Sequence, residues 1–352
     1  MAFGTPTGVT LPMSLTTELA KPSSPVAQYL RFVGRLVADT GRDTPWAEPF
    51  HRLLGFDSLP GSTTVPLVPG ADAAMVGTAF DYRLRFHFAP CRVKDFVAWQ
   101  GAALLRRLDP SGDAPVARFF SNLDMLASQL SPAGQQLHAA EERLLSTYCV
   151  VLAQLESVYR TRGGWVPNLP PAATRKVRPE AEPLLRLASE AAVEDVVNLS
   201  RSASEAMSPL IPYVANGSLP YHPNPVFAGS SAIGGADADF IIATTIFELK
   251  TTKTLDTAAV QNALLQLLGY SLLDYDDEYE IRRVGIYFAR HGWVRAWPLW
   301  ELIFPLAEVI QWSHAGTEPT EKEITARLDK LRGMMQRVVG GEVISYEECP
   351  YQ

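Results

Sequence analysis

The chain has 352 residues, of which 47% are hydrophobic and 20% are charged, and its formal net charge is −7 at pH 7. This composition is typical of a globular protein and excludes a disordered or fibrous chain. Apolar runs such as 149–153 and 240–243 are far shorter than the ~18 residues of a membrane-spanning helix, which argues against an integral membrane protein and a membrane partner. An acidic protein binds polyanions only through a local basic surface or through metal ions.

The N-terminus and the cysteines bear on location and redox chemistry. No basic residue precedes Lys21 and no continuous apolar stretch occurs there, so we expect no secretory signal and a cytoplasmic location. The three cysteines, Cys91, Cys149 and Cys349, are far apart and form no C-x-x-C pair. They predict free thiols and exclude an iron–sulfur cluster or a Cys-only zinc site, which need four thiolates.

The first half of the chain is predicted to be mainly helical. Residues 1–24 are rich in Thr, Pro and Gly and indicate an irregular N-terminal arm, whereas apolar residues recur at helical spacing through 25–159, with one long helix over 132–159. The segment 160–181 is a basic linker rich in Pro and Gly. Its part between Arg160 and Arg178 has five basic residues and no acid. It is either a solvated linker or a strap that contacts a phosphate backbone.

The second half changes to short apolar strands separated by helices. A helix over 182–207 is followed by strands, a further helix, two more strands and a C-terminal helical segment, 301–352, that packs on the core. The predicted strands are 240–242, 246–247, 284–288 and 293–297, and the predicted helices are 257–273 and 321–338. This order indicates an α/β core over 182–300 with a large, mainly helical N-terminal elaboration.

The residues best suited to catalysis are Asp239, Glu248 and Lys250. The first two strands are joined by a short turn and are expected to pair antiparallel, which brings the carboxylate of Asp239 beside Glu248. Glu248 and Lys250 are two positions apart, so their side chains leave the same face of the strand. Converging carboxylates repel each other unless a cation lies between them, and this oxygen-rich pair suits Mg²⁺ or Mn²⁺. The backbone carbonyl of Leu249 is a further candidate ligand.

The helix after these strands adds a second signal. Asn262, Gln266 and Tyr270 recur at intervals of four residues and form one polar stripe. If the helix packs against the strands, Gln266 and Tyr270 face the same space as Glu248 and Lys250. Hydrogen bonding to a phosphate or nucleotide is the role that such side chains suit.

Together these residues resemble the D…E-x-K…Q-x-x-x-Y pattern of the PD-(D/E)XK nuclease superfamily. Within it they are most similar to the RecB-like branch, which includes CRISPR-associated exonucleases. The resemblance implies a restriction-endonuclease-like core, a mixed four-stranded sheet flanked by helices. It also implies metal-dependent hydrolysis of DNA phosphodiester bonds in DNA repair or phage defence. By this resemblance Asp239 and Glu248 match the metal-binding carboxylates, Lys250 the catalytic lysine, and Gln266 and Tyr270 the accessory helix motif.

The chain departs from the family pattern in three ways. Ala238 occupies the position of the name-giving proline, and the cysteines of the cluster-binding members are absent, so no iron–sulfur cluster is expected. The upstream glycine-histidine motif of the branch has its nearest match at Gly77 and Asp81, with aspartate in the histidine position. Asp81 is therefore a candidate metal ligand, and the residues between 82 and 220 become an insertion in the nuclease fold.

Other polar residues have alternative interpretations. Asp237 is expected in a turn rather than on the metal, and His222 is expected in a loop. Glu194 is an alternative to Asp81 as the extra carboxylate, but it is expected at the surface, paired with Arg201 or a neighbour. Arg290, His291 and Arg295 could contact phosphate, although solvent exposure is favoured, and the acidic run Asp274–Glu280 is expected to be a solvated loop.

The expected function is therefore that of a Mg²⁺- or Mn²⁺-dependent deoxyribonuclease. The alternative is a catalytically inactive nuclease fold that serves as a nucleic-acid-binding or protein-interaction scaffold, since a fold can outlive its chemistry. In either case the helical region 25–159 is a candidate surface for a protein partner. Phosphate-loop, dinucleotide-binding and G-x-S-x-G patterns do not occur.

Overall fold

A five-stranded mixed sheet lies at the centre of the molecule. The structure, a computed structural model, describes residues 14–34, 64–89, 91–108, 113–129, 137–164 and 183–342. The sheet has the order β1-β2-β3-β4-β5, in which β3 and β4 are parallel and the other neighbours antiparallel. The strands are β1 (Tyr221–Pro223), β2 (Phe240–Ile242), β3 (Thr245–Lys250), β4 (Arg283–Phe288) and β5 (Trp293–Pro298). The expected four strands are thus joined by a fifth, β1, at the edge beside β2.

Helices make up most of the rest of the described chain. In chain order they are α1 (Leu15–Leu19), α2 (Pro25–Val33), α3 (Ala73–Phe88), α4 (Val97–Leu108), α5 (Asp113–Gln129), α6 (Ala139–Arg160), α7 (Glu190–Ala206), α8 (Ile211–Ala215), α9 (Thr257–Leu273), α10 (Trp300–Ile303), α11 (Leu306–Ala315) and α12 (Glu321–Val339). Among the described residues, no helix is both long enough and apolar enough to cross a membrane.

Several boundaries differ from the sequence-based expectations. Residues 15–19, expected to be irregular, form α1, which begins after the N-cap Ser14. The helix expected over 182–207 begins only at Glu190, after a 3₁₀ turn over Pro183–Leu187, because Ser189 caps it by accepting a hydrogen bond from the Ala192 N–H. The start of the helix expected over 132–159, most of segment 160–181 and Cys349 lie outside the described residues.

The connection between β3 and β4 is helix α9. It begins after Asp256, whose carboxylate accepts a hydrogen bond from the Ala259 N–H at 2.8 Å. Its bounds agree with the prediction, and it crosses from one parallel strand to the next, as parallel pairing requires. Its packing places Gln266 and Tyr270 beside the carboxyl end of β3, where the site forms.

The sheet is covered on both faces. Ile241, Ile246 and Ile286 face a core formed with α1, α2, α9 and α12. Phe247 and Tyr287 face a second core formed with α3 and α7. A third core lies among α4, α5 and α6, away from the sheet. The first two cores follow the alternation of side chains along each strand, and the third belongs to the helical region.

Candidate active site

Asp239, Glu248 and Lys250 lie together at one end of the β2–β3 hairpin. Phe240 is opposite Phe247 in the register, so Asp239, directly before β2, lies next to the position of Glu248. The Asp239 carboxylate accepts a hydrogen bond from the Leu249 N–H at 2.5 Å, and the Lys250 ammonium forms an ion pair with Glu248. The structure therefore brings the three side chains to one place, as the period of two residues predicts.

Leu249 contributes its backbone to the same place. Its N–H is bound to Asp239, and in a strand the N–H and C=O of one residue point to the same side. Its carbonyl is therefore directed toward the Asp239 side of β3, which is compatible with the expected role as a ligand.

The two carboxyl groups are held in an environment that disfavours their charge. Burial, and then the charge of Glu248, raises the pKa of Asp239 to about 7. Burial also raises the pKa of Glu248, although Lys250 opposes this effect. Burial disfavours the Lys250 ammonium, but Glu248 outweighs it and raises the pKa of Lys250, so this side chain is a cation at neutral pH. Buried carboxylates of this kind are stabilised by an added cation.

Helix α9 contributes two further side chains. The Lys250 ammonium donates to Gln266 Oε1 at 3.1 Å, and Gln266 Nε2 donates to the Tyr270 hydroxyl at 2.8 Å. Gln266 is 9% exposed and Tyr270 4%, so both are oriented by packing. Asn262, the third member of the polar stripe, is exposed and takes no part. Helix α1 lies over this group: a Cβ on Gly269 would be 2.8 Å from Leu15 Cδ2.

Asp81 approaches the site from α3, which packs on the face of the sheet opposite to α9. A Cβ on Gly77 would be 2.9 Å from Thr251 Oγ1, so this glycine permits the close approach of α3 to the end of β3. Asp81 forms a two-point ion pair with Arg85. Burial raises the pKa of Asp81 to about 7, and the neighbouring Asp239 contributes to this increase although Arg85 opposes it.

A small polar cavity of about 170 Å³ lies beside this group: Asp239, Gln266 and Tyr270 line it, whereas Glu248, Leu249 and Lys250 are not among its lining residues. The residues that sequence reasoning singled out and that line it are Asp81, Arg160, Asp237, Asp239, Gln266 and Tyr270; those that it missed include Arg85, Glu156 and Asn224. Arg85 is four residues after Asp81, and that spacing on one helix was the available signal. Asn224 has φ +53° and donates its N–H to the Asp239 carbonyl at 3.0 Å, which no local pattern predicts.

Other candidates lie elsewhere. Glu194 pairs with Arg143 at 2.9 Å rather than with Arg201. His222 is exposed on β1, not in a loop, with its ring 5.3 Å from that of Tyr279. Asp237 forms an isolated bridge with Val226 and lines the cavity.

One expectation of solvent exposure is wrong, and a second holds only in part. Arg290 is fully buried and its guanidinium binds Asp195, while His291 is 7% exposed. The acidic run forms a turn in which Asp276, Glu278 and Glu280 are exposed, as expected. Asp274 is instead 1% exposed and lies 3.7 Å from the Arg332 guanidinium, because α12 packs over this turn. Arg295 is half-buried, with its guanidinium 5.8 Å from the Trp297 ring centre.

The small number of carboxylates in the candidate site limits which metal ion it could hold. Within the described ranges, no group of three or more His, Cys, Asp or Glu side chains is arranged to hold a metal ion. Mg²⁺ usually takes only one or two carboxylates and keeps several water molecules, so the buried pair Asp239 and Glu248 fits it. Cys91 and Cys149 are free thiols, and Cys349 is not among the described residues.

Comparison of the chain with protein-family models, with curated proteins and with solved structures gives no match. The class of protein that the structure itself defines is an α/β fold with a five-stranded mixed sheet between helices and an acidic cavity at one end of that sheet.

Proposed function

We propose that this protein is a divalent-metal-dependent nuclease that hydrolyses DNA phosphodiester bonds, on a restriction-endonuclease-like core of the PD-(D/E)XK type. The observation that carries the proposal is the convergence of Asp239, Glu248 and Lys250 with Gln266 where the β2–β3 hairpin meets α9. The order hairpin, crossover helix, parallel strand supports it. These residues lie in, or directly before, three successive elements, β2, β3 and α9, they differ in type, and together they suit one chemistry.

Each residue has a task in this proposal. Asp239 and Glu248 would hold Mg²⁺ or Mn²⁺, with the Leu249 carbonyl as a further ligand. The bound ion would polarise a phosphoryl oxygen and lower the pKa of its water. Lys250, protonated at neutral pH, would stabilise the negative charge that develops on the phosphate rather than act as a base. Gln266 orients Lys250, and Tyr270 orients Gln266.

One observation favours a catalytically inactive scaffold as the second candidate. Glu248 and Asp81 are already ion-paired, with Lys250 and Arg85 respectively, so part of their charge is balanced without a metal. In that case the same fold would bind nucleic acid or a protein without hydrolysis. Metal titration separates the candidates, because the enzyme requires a stoichiometric Mn²⁺ site that Asp239→Asn removes.

The nuclease proposal is tested with linear, circular and single-stranded DNA in the presence of Mn²⁺ or EDTA. We expect cleavage in Mn²⁺ and none in EDTA, and a loss of about 10²–10³-fold in rate for Lys250→Ala, as for the removal of one group that stabilises transition-state charge. Glu248→Gln should be similarly impaired. Lys253→Ala is the matched control, an exposed lysine three residues further along the chain. Lys250→Ala protein that cuts as fast as the parent contradicts the mechanism.

A further inference from the structure

We infer that Arg160, at the C-terminal end of α6, binds a backbone phosphate of the nucleic acid next to the bond that is cleaved, and that Glu156 holds its guanidinium in place. The inference rests on the proposed nuclease function and deepens it. It adds a substrate-binding residue from the helical region, which the family resemblance does not explain.

Arg160 is anchored through one of its nitrogens and leaves the others available. Its Nε donates to Glu156 Oε1 at 2.5 Å, while its side chain remains 57% exposed at the cavity. The two terminal nitrogens donate to no acceptor in the described part of the chain. A guanidinium has five N–H donors in a planar fork, so it can keep the Glu156 contact and bind a phosphate oxygen with the rest.

The anchor is itself fixed. Glu156 is 6% exposed, and its second carboxylate oxygen accepts a hydrogen bond from the Tyr82 hydroxyl at 2.5 Å. That hydroxyl in turn accepts from the Ala98 N–H at 3.1 Å. Three helices, α3, α4 and α6, therefore determine where Arg160 lies. A surface arginine that served only solubility would not need a partner such as Glu156, a buried carboxylate whose two oxygens both accept hydrogen bonds.

Charge in the cavity explains why such an arginine is needed. Four carboxylic acids line the cavity, Asp81, Glu156, Asp237 and Asp239, and they oppose the entry of a phosphate. Arg85 also lines the cavity, but its guanidinium is bound at two points by Asp81. Among the described lining residues, Arg160 is the cation that combines solvent exposure with donors still available.

The test separates binding from cleavage. Affinity for fluorescent single-stranded DNA is measured in Ca²⁺ over a range of salt concentrations, and kcat and KM are measured in Mn²⁺. We expect Arg160→Ala to weaken binding about 10-fold, to reduce the slope of log K against log salt by about 1, and to raise KM with kcat within about twofold. Arg160→Lys should keep the salt slope because it keeps the charge.

Two further variants control for a purely structural role. Arg143→Ala removes an exposed arginine of the same helix that pairs with Glu190 and Glu194, and it should change neither slope nor KM. Glu156→Gln keeps the shape of the anchor but weakens the contact with Arg160, so KM should rise by less than in Arg160→Ala.

The possible results distinguish a failure of the role of Arg160 from a failure of the proposed nuclease function. A parent that cuts DNA, with Arg160→Ala unchanged in salt slope and KM, overturns the role of Arg160 and leaves the nuclease standing. If Arg160→Ala loses thermal stability together with binding, and Arg160→Lys is equally impaired, the role of Arg160 in binding phosphate is also overturned. The loss of binding is then a consequence of a structural change. A parent that neither binds nor cuts DNA overturns both.

Discussion

At the residue scale, burial acts on single titratable groups outside the site as well as within it. His87, on α3, is 5% exposed, and its Nε2 has no hydrogen-bond partner among the described residues. Burial, and then the nearby Arg83 guanidinium, lowers the pKa of His87 from 6.5 to about 4. Between these pH values the unfolded chain binds more protons than the folded one, so stability is lost as the pH falls from 6.5 toward 4.

Replacement of this imidazole should make the protein less sensitive to acid. The free energy of unfolding of the parent should fall more between pH 7.5 and pH 5 than that of His87→Gln. The variant should lose less by on the order of 1–2 kcal/mol. Urea unfolding of both proteins at the two pH values measures this difference. An equal change of the two proteins with pH would show that His87 does not titrate in this range.

Glu301 on α10 gives a prediction of opposite sign. Burial raises its pKa from 4.5 to about 7, against the effect of Arg283 and Arg295, and its Oε2 finds no hydrogen-bond donor among the described residues. The folded state therefore binds the extra proton between pH 4.5 and 7, and stability is lost as the pH rises through that window. Between pH 5 and pH 8 the free energy of unfolding of the parent should fall relative to that of Glu301→Gln. The relative change should be on the order of 1–2 kcal/mol in favour of the variant. Unfolding curves at the two pH values measure this gain, and its absence would contradict the prediction.

At the scale of elements, close approach between helices depends on single glycines. A Cβ on Gly101 of α4 would be 1.7 Å from the Leu155 carbonyl oxygen of α6, so the two backbones are in direct contact there. Because backbone cannot move aside as a side chain can, Gly101→Ala should force the helices apart and cost about 1–3 kcal/mol or more. Thermal unfolding measures the loss.

Gly333 of α12 is the matched control for Gly101. It is also helical, but a Cβ there would meet nothing within 4 Å. Gly333→Ala should therefore be neutral or stabilising by about 0.4–1 kcal/mol, because alanine reduces the freedom of the unfolded chain. Equal effects of the two substitutions would show that the α4–α6 contact does not limit packing.

At the scale of the whole molecule, one buried ion pair joins segments distant in the chain. Arg290 and Asp195, both fully buried, form two hydrogen bonds of 2.7 and 3.0 Å between the turn after β4 and α7. Arg290 also donates to the Thr251 carbonyl, directly after β3, and its own carbonyl accepts from the Thr64 N–H. The pair thus connects α7 to the end of the sheet at which the candidate site lies.

Removal of one partner leaves an uncompensated buried charge. Asp195→Ala is expected to cost about 3–5 kcal/mol, whereas Asp195→Leu combined with Arg290→Met should recover much of this loss. Arg143→Ala, which breaks exposed ion pairs, should cost no more than about 1 kcal/mol. Chemical denaturation measures all three, and a double variant no better than Asp195→Ala would contradict the role of the charge.

Features that follow local rules could be predicted from the amino-acid sequence. The alternation that places Glu248 and Lys250 on one face of β3 is a property of any strand, and the bounds of α9 follow from its apolar content and the Asp256 cap. The tertiary structure alone decided the burial of Arg290 and the meeting of Arg85, Glu156 and Arg160 at one cavity. Glu156 and Arg160 are four residues apart on one helix, but Arg85 is distant from both in the chain, as Arg290 is from Asp195. The free energy that selects such distant contacts comes from burial and charge pairing in the folded molecule, which leaves no periodic mark in the sequence.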